Sequence, residues 1–228
     1  LQKYVSADGR GSYGDWKASD TDMGKLKGHL WALSAVKPDT WPRDESLAYY
    51  LNLYNSAMIK LVLDHYPVSS VKKIGGVFGP WKMTFIPSDG GRSRLSLDEI
   101  EHKILRVKFN EPRIHFALVC ASVGCPPLRT ESYQSFVIDT QIADQERRFL
   151  MDKSRNRWSI VESGFLSKEK RLRFEVSSIF KWFAEDFGGE AGVVRRIYPY
   201  LDAESRALVD RSQYDIEYLD YDWSLNQK

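Results

Sequence analysis

The longest amphipathic pattern in the sequence runs from Pro42 to Pro67 and predicts a helix that any fold must bury along one face. Pro42 opens it, Tyr66-Pro67 ends it, and its apolar residues recur at helical spacing. These residues are Leu47, Leu51, Tyr54, Met58 and Leu61. Asn52 and Asn55 lie beside this stripe, although asparagine is a poor residue for a helix interior because its amide competes for backbone hydrogen bonds. We interpret the pair as side chains that fix a neighbouring loop, with a direct catalytic part as the alternative.

Other patterns predict a helix-rich chain with few strands. Further helices are predicted over 20–36, 97–106, 131–151, 179–187, 190–198 and 203–209. Strands are predicted over 82–86, 114–119, 158–161, 171–176 and 216–223. Ser96 and Glu99 have the spacing of a capping box, and residues 1–18 are predicted to form an irregular arm before a core over about 20–226. One α+β domain over 1–228, mostly helical around a small antiparallel sheet, is the simplest account.

Composition limits the classes of partner. Hydrophobic residues make up 43% and aromatic residues 13%, which is enough for a folded core. The net charge of +2 gives no global field that favours nucleic acid or a membrane. The basic stretch 153–173 and the acidic stretch 202–222 are interpreted as solvated faces. No apolar run is long enough for a transmembrane span, and two cysteines are too few for a disulfide framework in a domain of this size.

The segment 111–128, EPRIHFALVCASVGCPPL, holds both cysteines and one of the four histidines. An apolar run leads into Cys120, and a turn of small residues separates it from Cys125. A strand that ends in a thiol and a tight turn is where an enzyme would present a nucleophile, but it is equally typical of an inert core strand with a buried cysteine. Because side chains alternate along a strand, His115 and Cys120 are expected to point to opposite faces.

These residues suggest a thiol-dependent hydrolase or acyltransferase that acts on an amide or ester bond. Such chemistry needs a thiolate, an imidazole base, an orienting group and donors for the oxyanion. The candidate residues are Cys120 or, second, Cys125 as nucleophile, His115 or His102 as base, and Glu101 and Asn55 as orienting groups. The backbone N–H groups of residues 121–124 are candidate oxyanion donors if the turn exposes them.

Several alternatives remain open at this point. Cys120 and Cys125 can form a local disulfide in an oxidising compartment, and the pair can serve redox chemistry. A non-catalytic binding module is the main competing hypothesis, with aromatic residues around Phe78 and Trp81 as the binding surface. His102 beside Glu101 is also typical of a satisfied surface pair. A metal site built from His102, His115, Cys120 and Glu101 lacks compact zinc-type spacing, so no metal or cofactor is predicted.

Five ordered motifs resemble the domain-of-unknown-function 547 family. They are LAYYLNLYNSAMIK (47–60), LSLDEIEHKILR (95–106), EPRIHFALVCASVGCPPL (111–128), IFKWFAEDFG (179–188) and YDWSLN (221–226). The resemblance implies no activity. It does imply an architecture loosely similar to papain- and transglutaminase-like enzymes, by analogy of fold alone. Bacterial members look exported, so a periplasmic or secreted protein is expected, which agrees with a chain that starts at Leu1 rather than Met. A small-molecule or peptide substrate is expected, with no nucleic-acid partner; its identity and the oligomeric state are not predicted.

Overall fold

The computed structural model describes residues 1–163 and 169–228, without the side chain of Ser163; the part of the predicted basic stretch at 164–168 lies outside these residues. The chain divides into two compact units. The first comprises Leu1–Glu146 with Asp222–Lys228, and the second comprises Arg147–Tyr221. The α+β class is confirmed. The single domain over 1–228 stays a prediction.

A long buried helix forms the centre of the first unit. The unit begins with α1 (Tyr13–Lys17), α2 (Asp20–Ser34) and α3 (Arg43–His65). The predicted stripe of α3 is confirmed, since none of its five apolar residues is more than 2% exposed. Leu53, Val62 and Leu63, which do not belong to this stripe, are also buried. Helix α3 is therefore a core helix rather than an amphipathic surface helix. Because α1 lies within residues 1–18, the prediction of a wholly irregular arm is wrong.

The capping box predicted at Ser96 is confirmed. The Ser96 hydroxyl accepts a hydrogen bond from the Glu99 N–H at 3.1 Å, and the Ser96 N–H donates to the Glu99 carboxylate at 3.0 Å. The helix that follows is π-helical over Glu99–Leu105 and continues as α4 (Arg106–Phe109). Before it, β1 (Ile86–Ser88) and β2 (Ser93–Leu95) form an antiparallel hairpin. The strand predicted over 82–86 is displaced: a helical turn that starts at Pro80 includes Lys82, and the strand begins only at Ile86.

The predicted strand over 114–119 is also wrong. Its first half is one helical turn, α5 (Ile114–Ala117), followed by extended backbone from Leu118. The Ile114 N–H donates to the Glu111 carbonyl and the Leu118 N–H donates to the Ile114 carbonyl, so local hydrogen bonds satisfy this buried backbone without a partner strand. Short apolar runs fit a buried strand and a buried helix equally well, which explains the error.

The second unit contains a three-stranded sheet and short helices. The sheet has the order β3 (Arg157–Ser163), β4 (Glu169–Ser177) and β5 (Tyr214–Leu219), and it confirms the three strands predicted here. It is a mixed sheet, because β4 pairs with β3 antiparallel and with β5 parallel. Helix α6 (Ile138–Leu150) leads into this unit and begins seven residues later than predicted. The remaining helices are α7 (Ile179–Trp182), α8 (Ala184–Phe187), α9 (Gly189–Ile197) and α10 (Ala203–Asp210).

Candidate thiol site

The two cysteines are joined in a disulfide within the first unit. Their Sγ atoms are 2.07 Å apart, and the two residues are five positions apart in sequence. Cys120 is half-buried, whereas Cys125 is 3% exposed. Ala121, the first residue of the intervening turn, has a φ of 61°, a left-handed conformation that non-glycine residues seldom adopt. The turn therefore brings Cys125 back to Cys120, and Cys120 is the more exposed of the two residues.

Hydrogen-bond donors surround both sulfurs. The backbone N–H of Cys120 donates to Cys125 Sγ at 2.8 Å. The Ser122 hydroxyl lies 2.9 Å from Cys120 Sγ and 3.6 Å from Cys125 Sγ, and Ser122 itself is 1% exposed. Donors of this kind stabilise a thiolate more than a thiol. Ser122 is a site residue that the sequence prediction missed, because nothing in a single serine distinguishes it from an ordinary turn residue.

The C-terminal segment of the chain holds the cysteine turn in place. The Val123 N–H donates to the Ser224 carbonyl at 2.8 Å, and the Gly124 N–H donates to the Asp222 carbonyl at 2.9 Å. The Ala121 carbonyl accepts from the Asn226 N–H at 3.0 Å. Two of the four N–H groups proposed as oxyanion donors are thus already paired with carbonyl groups. The motif YDWSLN, the last of the five motifs that carry the family resemblance, contributes three residues of this clamp.

Asn55 fixes the chain just before Cys120. Its amide donates to the Ala117 carbonyl and its side-chain oxygen accepts from the Val119 N–H, both at 2.9 Å. Asn52, one turn earlier, makes the same two bonds to the backbone of Tyr133, at 2.8 and 2.9 Å. The interpretation of both asparagines as residues that fix a loop is therefore confirmed. A catalytic part for Asn55 stays a prediction.

Gln145 of α6 joins the two ends of the cysteine segment. Its amide donates to the Phe116 carbonyl at 3.2 Å and to the Pro127 carbonyl at 2.8 Å, and the side chain is fully buried. One side chain thus connects the backbone before Cys120 to the backbone after Cys125. Together with Asn55 it holds the segment in one conformation.

Glu101 pairs with His115 and not with its sequence neighbour His102. Glu101 Oε1 lies 3.6 Å from His115 Nδ1, and the Tyr54 hydroxyl donates to Glu101 Oε2 at 3.3 Å. All three side chains are buried. His102 is half-buried instead, with its Nδ1 3.0 Å from Arg106 Nη1 and its Nε2 3.7 Å from Asp98. Adjacent helical residues point in different directions, so the Glu101–His102 pair considered from the sequence does not form.

The expectation that His115 and Cys120 point to opposite faces of a strand no longer applies. His115 lies on the helical turn α5, and the chain changes to extended backbone between the two residues. The side-chain period of a strand therefore does not relate them. Tyr54 and Asn55, adjacent on α3, support the Glu101–His115 pair and the backbone leading to Cys120 respectively.

A cavity of about 590 Å³ opens next to this support structure. It lies between the N-terminal residues, α2, α3 and the segment 128–133 that follows the cysteines. Asn55 lines it together with Asn52, and Leu26, Ile59 and Leu128 give it apolar walls. A cleft of this size accommodates a small molecule or a peptide side chain.

An ion pair fixes the turn that precedes α5. Arg113 makes two hydrogen bonds to Glu111, at 2.8 and 2.6 Å, and one to Asp139 at 2.7 Å. Burial is the largest single influence on the pKa of Glu111 and raises it, but the hydrogen bonds and charge of Arg113 and the charge of Arg43 together outweigh burial. The pKa of Glu111 therefore lies below its ordinary value of 4.5. At pH values above 4.5 the ionised Glu111 carboxylate stabilises the folded state.

We expect Arg113→Gln to lower the free energy of unfolding by about 1–2 kcal/mol at neutral pH, allowing for the partial exposure of the pair. Because the folded pKa of Glu111 is depressed, the contribution of the pair is complete above pH 4.5 and is lost as the pH falls through the lower folded value. The difference between wild type and variant in urea denaturation should shrink with acidification. A difference that stays constant from neutral to acidic pH would contradict this assignment.

No group of three or more His, Cys, Asp or Glu residues suited to a metal ion occurs within the described parts of the chain, 1–163 and 169–228. Over the same residues, no helix is both long and apolar enough to cross a bilayer. The site is therefore defined by its own side chains: a disulfide in a clamped turn and a buried carboxylate–imidazole pair.

These features define a class: an α+β protein in which the helix α3 and the C-terminal segment support a thiol-bearing turn. Residues 38–150 match the model of a family described as "Protein of unknown function, DUF547". The resemblance is thereby confirmed for the three motifs within this segment, which belongs to that family; the motifs at 179–188 and 221–226 lie outside the matched residues. No curated protein and no solved structure matches the chain. The expected likeness to papain- and transglutaminase-like folds is not confirmed.

Proposed function

We propose that this chain catalyses thiol–disulfide exchange, with Cys120 as the sulfur that reacts with the substrate and Cys125 as the sulfur that completes the exchange. The observation that carries the proposal is the disulfide whose two cysteine residues differ in burial, Cys120 half-buried and Cys125 3% exposed. An accessible sulfur can meet a substrate, while a buried partner within bonding distance can attack only the intermediate.

The exchange proceeds in two balanced steps from the reduced protein. The Cys120 thiolate attacks a substrate disulfide, forming a mixed disulfide and releasing one substrate thiolate, which takes up a proton. The Cys125 thiolate then attacks Cys120 Sγ, restores the internal disulfide and releases the second substrate thiolate, which is protonated in turn. Two electrons and two protons pass from the dithiol to the substrate, and the reverse sequence oxidises a substrate dithiol.

The surroundings of the sulfurs suit this chemistry. In the reduced protein the Cys120 N–H and the Ser122 hydroxyl are placed to donate to a Cys125 thiolate, which lowers the cost of forming the attacking group. Asn55 and Gln145 hold the backbone around both cysteines, so little reorganisation is needed when the sulfurs bond again. A disulfide persists in an oxidising environment, which supports a periplasmic or secreted location.

The test follows the reduced protein by intact mass after it is mixed with hydroxyethyl disulfide. Wild type should return to the internal disulfide, two hydrogens lighter than the dithiol. Cys125→Ser should stop at a stable mixed disulfide on Cys120, since the attacking sulfur is missing. Cys120→Ser should react no faster than a free thiol in solution. Equal, slow reaction of the two single variants would overturn the proposal.

A second candidate, the thiol-dependent hydrolase or acyltransferase, is favoured by one specific observation. The Tyr54–Glu101–His115 chain is the arrangement that orients an imidazole for general-base work. It ranks second because the disulfide removes the nucleophile and because the Val123 and Gly124 N–H groups are already paired. On p-nitrophenyl acetate the two candidates give opposite results for Cys125→Ser: a hydrolase gains activity without reductant, whereas an exchange enzyme shows no ester turnover.

A further inference from the structure

A short loop of the first unit exposes two large apolar side chains. Val77 is 99% exposed and Phe78 is 80% exposed. They lie on the helical turn Gly76–Phe78, with the buried residues Ile74 and Pro80 at the two ends of the loop. Water contact of this extent at two adjacent apolar residues is unfavourable for an isolated chain. The loop therefore presents an apolar tip rather than packing it.

The tip is held in a fixed shape by glycine backbone. Gly75 and Gly79 both have positive φ angles, 79° and 69°. They approach so closely that a methyl group on Gly75 would lie 2.6 Å from the Gly79 carbonyl oxygen. The Gly79 N–H donates to the Gly76 carbonyl at 3.2 Å and closes the turn. Because the loop is closed before any partner is bound, little ordering entropy is lost on docking.

Three lysines lie in the turns at the base of the tip, and the sequence between Asp64 and Asp89 contains no acidic residue. Lys72, Lys73 and Lys82 are exposed, and the turns that carry them lie against each other at the base of the loop. Lys72 Nζ also lies 4.8 Å from the ring centre of Trp223, whose ring packs edge to face on Trp81 at 5.7 Å. An apolar tip, an aromatic base and exposed lysines nearby are the three elements of a surface that enters an anionic membrane interface.

We propose that the loop 72–82 docks the protein on the surface of a membrane that contains anionic lipid, with Val77 and Phe78 inserted among the headgroups. The near-neutral net charge of the whole chain does not oppose this, because attraction to a charged surface acts over about 10 Å and depends on local lysines. A purely protein partner fits the same apolar tip but gives no reason for the three exposed lysines at its base.

The experiment is co-sedimentation of the full chain with vesicles of phosphatidylcholine, with or without phosphatidylglycerol. Wild type should bind the anionic vesicles, and the binding should weaken at high salt. Val77→Ser/Phe78→Ser should reduce binding by at least about tenfold, the effect of removing one large apolar side chain or more. Lys72→Gln/Lys73→Gln should reduce binding to anionic vesicles by about fivefold per lysine.

Phe136→Ser is the matched control, since Phe136 is 81% exposed in the same unit but belongs to the turn Ser135–Val137. It should bind like wild type. Failure of wild type to bind anionic vesicles, or equal loss in the Phe136 variant, would overturn the proposal. So would concentration-dependent self-association that only the Val77/Phe78 variant abolishes, because it would make the tip a protein interface. Thiol exchange with a small disulfide in solution should be the same for every loop variant, so the two proposals fail independently.

Discussion

Replacing Asn55 with alanine should lower the free energy of unfolding by about 2–4 kcal/mol, because it leaves two buried backbone groups without their partner. The Val119 N–H loses its acceptor outright. The Ala117 carbonyl loses its bond to Asn55 but keeps a longer one from the Tyr133 hydroxyl, at 3.4 Å. Asn55 is 8% exposed, so water has little access to replace either bond. Urea denaturation of the oxidised protein measures the loss.

Asn52→Ala is the matched control for this prediction. It removes the same pair of bonds from the same helix, but Asn52 is half-buried where Asn55 is 8% exposed, so water can replace the lost amide more readily, although Tyr133 itself is 5% exposed. Its cost should be about 1 kcal/mol. Asn55→Asp should be worse than alanine, since it places a carboxylate oxygen against the Ala117 carbonyl in a buried position. Equal effects of Asn52→Ala and Asn55→Ala would contradict the role assigned to burial.

The Asn55→Ala variant also tests whether stability and the thiol site are connected. Val119 directly precedes Cys120, so freeing its backbone should slow the return of Cys125 to Cys120 after a mixed disulfide has formed. A rate of internal closure that falls in Asn55→Ala but not in Asn52→Ala would identify Asn55 as a positioning residue for the exchange. Unchanged closure in both variants would limit Asn55 to stability.

Predictions from the sequence were correct where a polar residue type at its position has one strong physical explanation. The asparagines within an apolar helix predicted side-chain bonds to a loop, and those bonds occur. Ser96 and Glu99 predicted a capping box that the structure contains. Each prediction depended on a polar side chain that hydrogen-bonds to backbone. The physical reason is that such residues are costly in their position unless they are bonded.

The elements around the cysteines could not be predicted because their determinants are distant in sequence. An apolar run of six residues does not reveal whether its backbone bonds are local or between strands, and residues 114–117 turned out helical. Pairing of Glu101 with His115 rather than His102 depends on the packing of two helical segments. The clamp from Ser224 and Asp222 joins positions about a hundred residues apart. Tyr54 was predicted only as a core residue, and its hydrogen bond to Glu101 was not predicted.

Gly192→Ala should lower the free energy of unfolding of the second unit by about 2–3 kcal/mol, even though alanine is the better helix former. Gly192 lies in α9, where a Cβ would overlap the carbonyl oxygen of Phe187. Gly188 and Gly189, both with positive φ, turn the chain back so that α9 starts directly over the end of α8. Phe187 is 4% exposed and packs on Phe180 with ring centres 4.9 Å apart, so it has little room to move.

The control for this prediction is Gly28→Ala in α2, where no atom lies within 4 Å of an added Cβ and the residue is exposed. That variant should gain about 0.5–1 kcal/mol, because alanine loses less backbone entropy than glycine on folding. The two substitutions are chemically identical, so opposite signs in thermal or urea denaturation isolate the close approach to Phe187 as the cause. A stabilised Gly192→Ala protein would show that α8 and α9 can separate by the width of a methyl group at no cost, which close packing of the Phe180–Phe187 pair does not permit.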